Sequence, residues 1–145
     1  MPRPDALLLR LETYPFLAEV RTRYSDLDPQ NHVNNVAVAS IYEEGRSQFI
    51  RWMVDNAGSE LEPPRRMIAE VKVSYLAQIH YPATLRVAAS ILYLGQRSYR
   101  IGQALFLADQ CVGLCETVVV HSDGLRGIAI SDAWRETLQR AAALG

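Results

Sequence analysis

The sequence has no apolar run long enough to span a bilayer and no run of basic residues. Its leucine run, Leu7-Leu8-Leu9, lies between arginines and precedes no small-residue cleavage pattern, so we expect no secretory signal. Lysine and arginine total 15 against 16 aspartates and glutamates, a formal net charge of −1. Because this balance gives no broad positive surface, we expect neither nucleic acid nor a membrane as a partner.

Cysteine is scarce as well, with Cys111 and Cys115 alone in the chain. They lie four residues apart in a strand-like segment, which predicts one shared face and a separation of about 13 Å, too far for a disulfide. We therefore expect buried free thiols in a reducing, cytoplasmic compartment. No histidine or cysteine pair has metal-ligand spacing, since His80 and His121 are isolated in the sequence, and we expect no metal.

The 145 residues, 49% hydrophobic and 21% charged, suit one globular domain over residues 1–145. Alternation of apolar and polar residues predicts a first strand over Phe16–Tyr24. Apolar residues then recur at helical spacing, which predicts a helix of about five turns that ends near Gly58, a residue suited to a left-handed cap. Inside this helix Gly45 costs about 1 kcal/mol relative to alanine, so we expect another backbone to approach it closely.

Four more segments have strand character, and a helix is expected after them. The strands are Met67–Leu76, Thr84–Leu94, Ser98–Leu107 and Cys111–His121, and the helix is Asp132–Ala143. Short polar turns predict hairpins between the last three strands. One long helix cannot cover both faces of a five-stranded sheet, so we expect a partner subunit or the terminal helix to bury apolar residues such as Phe106 and Val119.

Residues 24–35 join the first strand to the helix and hold the side chains best suited to chemistry. They read Tyr-Ser-Asp-Leu-Asp-Pro-Gln-Asn-His-Val-Asn-Asn. A carboxylate can act as nucleophile or general base, and a histidine can donate or accept a proton. A helix N-terminus offers unpaired N–H groups to a developing negative charge. The junction therefore contains the three parts of a hydrolytic site.

Each of these side chains also has an ordinary structural explanation. Asp28 precedes proline and is typical of an Asx turn or a helix cap. His32 alone is typical of a polar loop, and Asn34 and Asn35 are good helix caps. For Asp26 we expect hydrogen bonds to the backbone of the junction.

Together with the element order, the Asp26-Leu27-Asp28 and His32-Val33-Asn34-Asn35 motifs resemble the hotdog-fold acyl-CoA thioesterases. Within them, the chain most resembles the 4-hydroxybenzoyl-CoA thioesterase family. The resemblance implies an α+β hotdog fold, in which an antiparallel five-stranded sheet wraps around one long central helix and a C-terminal helix follows. It also implies hydrolysis of an acyl-CoA to a free acid and coenzyme A, with no cofactor except the coenzyme A of the substrate. Such proteins form their sites between subunits, which implies a homodimer that often assembles into a homotetramer.

The resemblance gives the junction residues specific roles. It makes Asp28 the catalytic carboxylate, either as nucleophile or as the base that activates water. It implies that His32 hydrogen-bonds the thioester carbonyl or the attacking water. The backbone N–H near Asn35 would point at the thioester oxygen, where the helix dipole stabilises the oxyanion. We expect Asn34 and Gln30 to contact the substrate.

Two positions depart from the pattern of the family. Gln30 stands where acyl-carrier-protein thioesterases have a catalytic asparagine, and its longer amide would have to reach the same water. Many relatives have glycine where this chain has Asn31, which makes the loop bulkier.

Further candidates lie outside the junction. Similar proteins contact the phosphates of coenzyme A near a hairpin that corresponds here to Arg97, Ser98 and Arg100, and Arg126 is a weaker candidate. A second branch of the family carries its carboxylate on the central helix. For the glutamates at positions 43 and 44 we favour an exposed face over that role, because the His-Gly-Gly helix entry of that branch is missing.

Two rival functions fit the same fold. One is a dehydratase or hydratase that acts on the acyl chain of a thioester, although this chain lacks the proline-containing histidine motif of such enzymes. The other is a protein that binds acyl thioesters without cleaving them, because a fold does not determine a function.

Overall fold

The computed structural model describes residues 5–57 and 65–143. The chain forms five strands and two α-helices in the order β1, α1, β2, β3, β4, β5, α2. Their bounds are β1 Phe16–Arg21, α1 Asn35–Asn56, β2 Arg65–Tyr75, β3 Thr84–Leu94, β4 Ser98–Leu107, β5 Gln110–Ser122 and α2 Asp132–Arg140. Short 3₁₀ turns precede β1 and follow it, at Ala6–Leu9, Leu11–Thr13 and Tyr24–Asp26. In the described ranges no helix is long and apolar enough to cross a membrane.

The strands form one antiparallel sheet in the order β1-β3-β4-β5-β2. Helix α1 packs on β1, β3 and β4, and α2 packs beside it on β3. The core between the helices and the sheet contains Phe49 and Met53 of α1, Ile101 of β4 and Leu138 of α2. This arrangement confirms the expected α+β hotdog fold.

The predicted elements agree closely with those of the structure, with small differences at the ends. The first strand stops at Arg21 instead of continuing to Tyr24, because the chain turns there into a 3₁₀ segment that exposes the Tyr24 ring. The terminal helix ends at Arg140, three residues earlier than predicted. The expected cap at Gly58 lies outside the described residues.

Part of the face of the sheet opposite α1 is covered by the segment before β1. Phe106 is fully buried there against Tyr14, with the two rings edge to face and their centroids 6.3 Å apart. Val119 lies on the other face, in the core that α1 and α2 share. We expected a partner subunit or the terminal helix to bury both Phe106 and Val119. For Phe106 this expectation was wrong.

A β-bulge in β5 also corrects the prediction for the two cysteines. Leu105 pairs with Gly113 while Phe106 pairs with Cys111, so Val112 is an extra residue in the ladder. The bulge reverses the alternation of side chains, and Cys111 packs with Phe106 on one face while Cys115 packs with Val112 on the other. The two thiols are free, as expected, but they do not share a face.

Gly45 lies on the side of α1 that faces the sheet. A Cβ at this position would come within 2.4 Å of Val87 Cγ1 and 3.3 Å of Gln103 Nε2. The expected close approach is therefore present, but side chains of β3 and β4 make it instead of a backbone. Gln103 then donates from Nε2 to the Tyr42 carbonyl oxygen at 2.9 Å, which ties the same turn of α1 to β4.

We predict that Gly45→Ala destabilises the protein in spite of the better helix propensity of alanine. The gain of about 1 kcal/mol in propensity is opposed by overpacking against Val87, and we expect a net loss of about 1 to 2 kcal/mol in the free energy of unfolding. Urea denaturation measures this change. In a Val87→Ala background, which removes the contacting Cγ1, the loss should shrink or reverse. A Gly45→Ala protein that is more stable than the parent would contradict the packing described.

Candidate active site

The Asp28–His32 loop is closed by backbone hydrogen bonds. The Asp28 N–H donates to the His32 carbonyl at 2.9 Å, and the Asn31 N–H donates to the Asp28 carbonyl at 3.0 Å. Asn31 adopts a φ of 63°, in the left-handed region that favours glycine and tolerates asparagine. This conformation explains why glycine and asparagine are the two residues that suit the position before His32.

The Asp28 side chain is partly buried, and one of its two carboxylate oxygens accepts hydrogen bonds. Its Oδ1 accepts the Gln30 N–H at 2.9 Å and the His32 N–H at 3.1 Å. Among the described residues, Oδ2 has no hydrogen-bond partner. The expected Asx turn is therefore present, and it orients the carboxylate while one oxygen stays available for chemistry.

Asp26 supports the junction, as expected. Its side chain is buried and accepts the Arg23 backbone N–H at 2.7 Å, and its carbonyl accepts the Asn34 N–H at 2.8 Å. The carboxylate also pairs with the Arg23 guanidinium at 3.2 Å. These bonds occupy Asp26 with the backbone and leave Asp28 as the carboxylate beside the helix start.

Asn34 caps the N-terminus of α1. Its Oδ1 accepts the Ala37 N–H at 2.8 Å, and its carbonyl accepts the Val38 N–H at 3.0 Å. The N–H groups of Asn35 and Val36 have no acceptor in the described part of the chain. Free N–H groups at the positive end of a helix of 22 residues form a site for a developing negative charge.

His32 has a neighbour that the sequence did not indicate. The His32 and His80 rings meet edge to face with centroids 4.9 Å apart, and their backbones form an isolated antiparallel bridge. His80, expected to be isolated, is brought in by the segment after β2, where the Ile79 carbonyl accepts the Val33 N–H at 2.8 Å. The two residues are far apart in sequence and share no motif, so no sequence signal predicted this pair.

A cavity of about 530 Å³ opens beside the junction. Four of the predicted site residues line it: Asp28, Gln30, His32 and Asn35. Its apolar part is lined by Val38 and Tyr42 of α1, Leu105 of β4 and the bulged Val112-Gly113 of β5. Residues 75–79, from the last residue of β2 onwards, form another wall. The junction therefore lies beside a cavity that α1, β4 and β5 line with mostly apolar side chains.

Asp28 and Asn35 also border a second, more open depression of about 490 Å³ on the other side of the helix start. Arg23, Ser25 and Ser40 line this depression. The carboxylate and the first residue of α1 thus lie between an apolar cavity and a polar, exposed surface.

Other predicted site residues lie away from this cavity in the same protomer. Arg97, Ser98 and Arg100 are at the start of β4, about 17 Å or more along the strand from Leu105. The Arg100 side chain pairs with Glu116 at 2.7 Å. The structure does not bring these three residues to the junction, and Arg126 is exposed in the loop before α2.

The helix glutamates and the two cysteines are poorly suited to a catalytic role. The two helix glutamates are exposed and do not line the cavity, and Glu44 accepts a hydrogen bond from Gln48 at 2.9 Å. Burial raises the pKa of the Cys111 and Cys115 thiols, which disfavours the thiolate form that a nucleophile needs. Within residues 5–57 and 65–143, no three histidine, cysteine, aspartate or glutamate side chains converge in a way that would hold a metal ion.

The loop geometry makes a prediction for Asn31. A β-branched side chain is strained at a φ of 63°, so Asn31→Val should lower the free energy of unfolding by about 1 to 2 kcal/mol. Asn31→Gly should be neutral or slightly stabilising. Urea denaturation of both variants gives the comparison, and equal stability of the valine and glycine variants would refute the left-handed conformation.

Comparison with known proteins gives consistent similarities. A Bacillus subtilis (strain 168) protein, the uncharacterized YsmA, is 25% identical over 87% of this chain and 86% of its own length. A Thermus thermophilus thioesterase complexed with coenzyme A and Zn superposes with a TM-score of 0.76 and 24% identity, over 90% of this chain and 96% of that one. A thioesterase-superfamily protein of Jannaschia sp. CCS1 has a TM-score of 0.73 and 25% identity, over 86% of this chain and 81% of that one. The family model of the thioesterase-like superfamily matches residues 22–141, from the end of β1 to the end of α2, and the chain belongs to that superfamily.

Proposed function

We propose that the protein hydrolyses acyl-CoA thioesters to a free acid and coenzyme A. The observation that carries this proposal is the placement of Asp28. Its carboxylate is held by two backbone N–H groups at the mouth of an apolar cavity, next to the two unpaired N–H groups that begin α1. A nucleophile or base beside an oxyanion site is what thioester hydrolysis requires.

The reaction forms a C–O bond and breaks the C–S bond of the thioester. The carbonyl oxygen becomes the oxyanion and accepts hydrogen bonds from the N–H groups of Asn35 and Val36. Asp28 either attacks the carbonyl carbon directly, which gives an anhydride that water then hydrolyses to the free acid, or takes a proton from the attacking water. The released thiolate takes up the proton that the water loses. His32 hydrogen-bonds the carbonyl or the water. No cofactor takes part except the coenzyme A of the substrate.

The two depressions on either side of Asp28 suit the two halves of such a substrate. The acyl group enters the apolar cavity, and the polar coenzyme A moiety lies over the open surface near Arg23. Gln30, at the mouth, is the amide closest in sequence to the carboxylate. The coenzyme A complex of the similar Thermus thermophilus thioesterase supports this substrate class, and the motif supports the 4-hydroxybenzoyl-CoA thioesterase branch. The free thiols of Cys111 and Cys115 fit a cytoplasmic enzyme.

We further propose that the active unit is a homodimer, or a homotetramer built from dimers. Strand β2 is at the edge of the sheet and is 11 residues long, with apolar side chains exposed along it. These include Met67, Ile68, Val71 and Tyr75. A long apolar edge left in water promotes pairing with another strand, and a second copy of β2 would satisfy it. The dimer would also bring Arg97, Ser98 and Arg100 of one subunit within reach of a coenzyme A bound to the other.

Replacing Asp28 tests the hydrolysis. Asp28→Asn keeps an oxygen for the Gln30 and His32 N–H groups but removes the charge, so the loop should persist while turnover falls by about 100-fold or more. The measurement is free-thiol release from a panel of aliphatic and aromatic acyl-CoAs. Asp55→Asn, an exposed carboxylate near the end of α1, is the matched control. Near-parental turnover of Asp28→Asn would refute the assignment of Asp28, and tight binding without release by the parent would favour a binding protein.

Charges on β2 test the dimer. Ile68 and Val71 are each 45% exposed in the protomer, and Ile68→Lys with Val71→Lys places two like charges in the proposed interface. We expect the mass measured by light scattering after size exclusion to fall from an even multiple of the chain to a single chain. Leu125→Lys, at a residue that is 93% exposed, is the control. A parent that is monomeric at every concentration would refute the proposed assembly.

A further inference from the structure

Arg46 is the only charged residue among those that α1 buries, and 9% of its surface is exposed. Its Nη1 donates to the Thr117 hydroxyl of β5 at 3.1 Å. In the described part of the chain the side chain makes no other hydrogen bond, and no carboxylate lies within 4 Å of it. A guanidinium keeps its positive charge and has five N–H donors. One neutral hydroxyl therefore leaves the charge without a counter-charge and most of the donors without a protein acceptor.

A buried charge without a counter-charge destabilises a folded protein, and an apolar side chain of similar volume is often more favourable at such a position. The place of Arg46 therefore indicates an acceptor that one protomer does not supply. The guanidinium is open to such a group. Its unbonded nitrogens are not among the fully enclosed polar atoms that lack a partner, so a carboxylate from outside the protomer can reach them.

Arg46 lies on the side of α1 that is nearest to the edge strand β2. Gly45 faces Val87 of β3, whereas Arg46 reaches Thr117 of β5, which is two strands closer to that edge. On β2, Val71 is directly opposite Thr117. Because α1 packs on β1, β3 and β4, it leaves the helix side of β2 uncovered, and Val71 is 45% exposed. The guanidinium is therefore at the border between the core and the open surface of β2.

The symmetry of a β2 dimer would put Arg46 beside the two-fold axis. Two antiparallel copies of β2 that pair along their whole length have this axis at the middle of the strand, near Glu70 and Val71. Thr117, one strand further from the axis than Val71, is then one and a half strand spacings from it, about 7 Å. A side chain of the partner that lies near the axis would therefore come within reach of the Arg46 guanidinium.

Glu43 is the carboxylate that α1 carries on this side. It is exposed and lies three residues before Arg46, which is about 4.5 Å along the helix and about 60° around it. Glu44 is about 160° around the helix from Arg46 and accepts a hydrogen bond from Gln48. The two-fold axis reverses the direction of the second α1. The order Glu43 then Arg46 on one helix is thus opposed on the other, and each glutamate comes opposite the arginine of the partner subunit.

We propose that Arg46 of each subunit forms an ion pair with Glu43 of the partner subunit across the two-fold axis of the β2 dimer. Two identical pairs then flank the axis, and the buried guanidinium receives its counter-charge only when the dimer forms. Arginine suits this place, because its planar group binds a carboxylate through two parallel hydrogen bonds. This inference rests on the homodimer proposed as the active unit, and it specifies contacts of that interface beyond the pairing of β2.

Glu43→Arg tests the ion pair at a residue whose exposure in the protomer lets one subunit keep its fold. The variant replaces each pair with two like charges, so we expect the dissociation constant of the dimer to rise by about 100-fold or more. Sedimentation velocity over a range of protein concentrations measures this constant. Glu44→Arg is the matched control, since it makes the same change of charge at the next residue, on the side of α1 away from the axis. The control should leave the constant within about threefold of the parent. A Glu43→Arg dimer no weaker than the control would overturn the inference.

A mixture of two variants separates a pair between subunits from a pair within one helix. Arg46→Glu alone should also dissociate, because two carboxylates then face each other across the axis. An equimolar mixture of Glu43→Arg and Arg46→Glu chains should form a heterodimer, since every arginine again faces a glutamate. A pair within one helix predicts no such rescue. If circular dichroism shows Arg46→Glu to be folded, a mixture that stays monomeric would count against the inference. If that variant is unfolded, the comparison of Glu43→Arg with Glu44→Arg decides alone.

The outcomes separate this inference from the proposed function. A parent that dimerises and hydrolyses acyl-CoAs, with a Glu43→Arg variant that dimerises equally well, would overturn the ion pair and leave the function intact. A parent that is monomeric at every concentration would overturn the dimer and the ion pair together. Thiol release is a separate readout, so a parent without hydrolysis whose dimer is weakened by Glu43→Arg and not by Glu44→Arg would overturn the function and support the ion pair.

Discussion

The candidate active site depends on how the start of α1 is fixed to the rest of the molecule. Two backbone hydrogen bonds hold it, from the Val33 N–H to the Ile79 carbonyl and from the Asn34 N–H to the Asp26 carbonyl, each at 2.8 Å. One ties the helix start to the wall after β2, and the other ties it to the turn after β1. The free N–H groups of α1 and the Asp28 carboxylate therefore keep a constant relative position, which electrostatic stabilisation of an oxyanion requires.

The order and limits of the strands were largely predictable because hydrophobic periodicity is a local property. Thr84–Leu94 and Ser98–Leu107 were predicted with the bounds that the structure shows. The errors arose where local pattern and tertiary structure differ. The bulge at Val112 breaks a strict alternation without any change in the sequence pattern, and it separated Cys111 from Cys115. The cover of Phe106 by Tyr14 depends on a segment that has no long periodic pattern.

The residues of the candidate site are likewise of two kinds: those that the local sequence predicts, and those that only the tertiary structure brings in. Asp28, His32 and Asn35 lie within eight residues of one another, so the motif and the turn chemistry were enough to group them. His80 and Tyr42 were not predicted as parts of the site, because their places follow from the crossing of distant segments. The contact of His80 with His32 needs the segment after β2, and the environment of the Tyr42 hydroxyl needs Gly113 of β5. The roles of Arg97, Ser98 and Arg100 stay predictions, since these residues lie at the far end of β4 from the cavity.

The bulge in β5 has a consequence for how the depth of the cavity can vary between related proteins. Strand pairing is continuous on both sides of Val112, so removal of this one residue would restore regular alternation over the short segment that leads back to the β4–β5 turn. The change would remove the Val112 side chain from the wall of the cavity, while Cys111 and Gly113 keep their pairing with Phe106 and Leu105. The Val112 carbonyl also accepts the Leu76 and Ala77 N–H groups at 3.0 and 3.1 Å. A one-residue change at the bulge would therefore alter both the lining of the cavity and the hydrogen bonds of the segment after β2 that forms another of its walls.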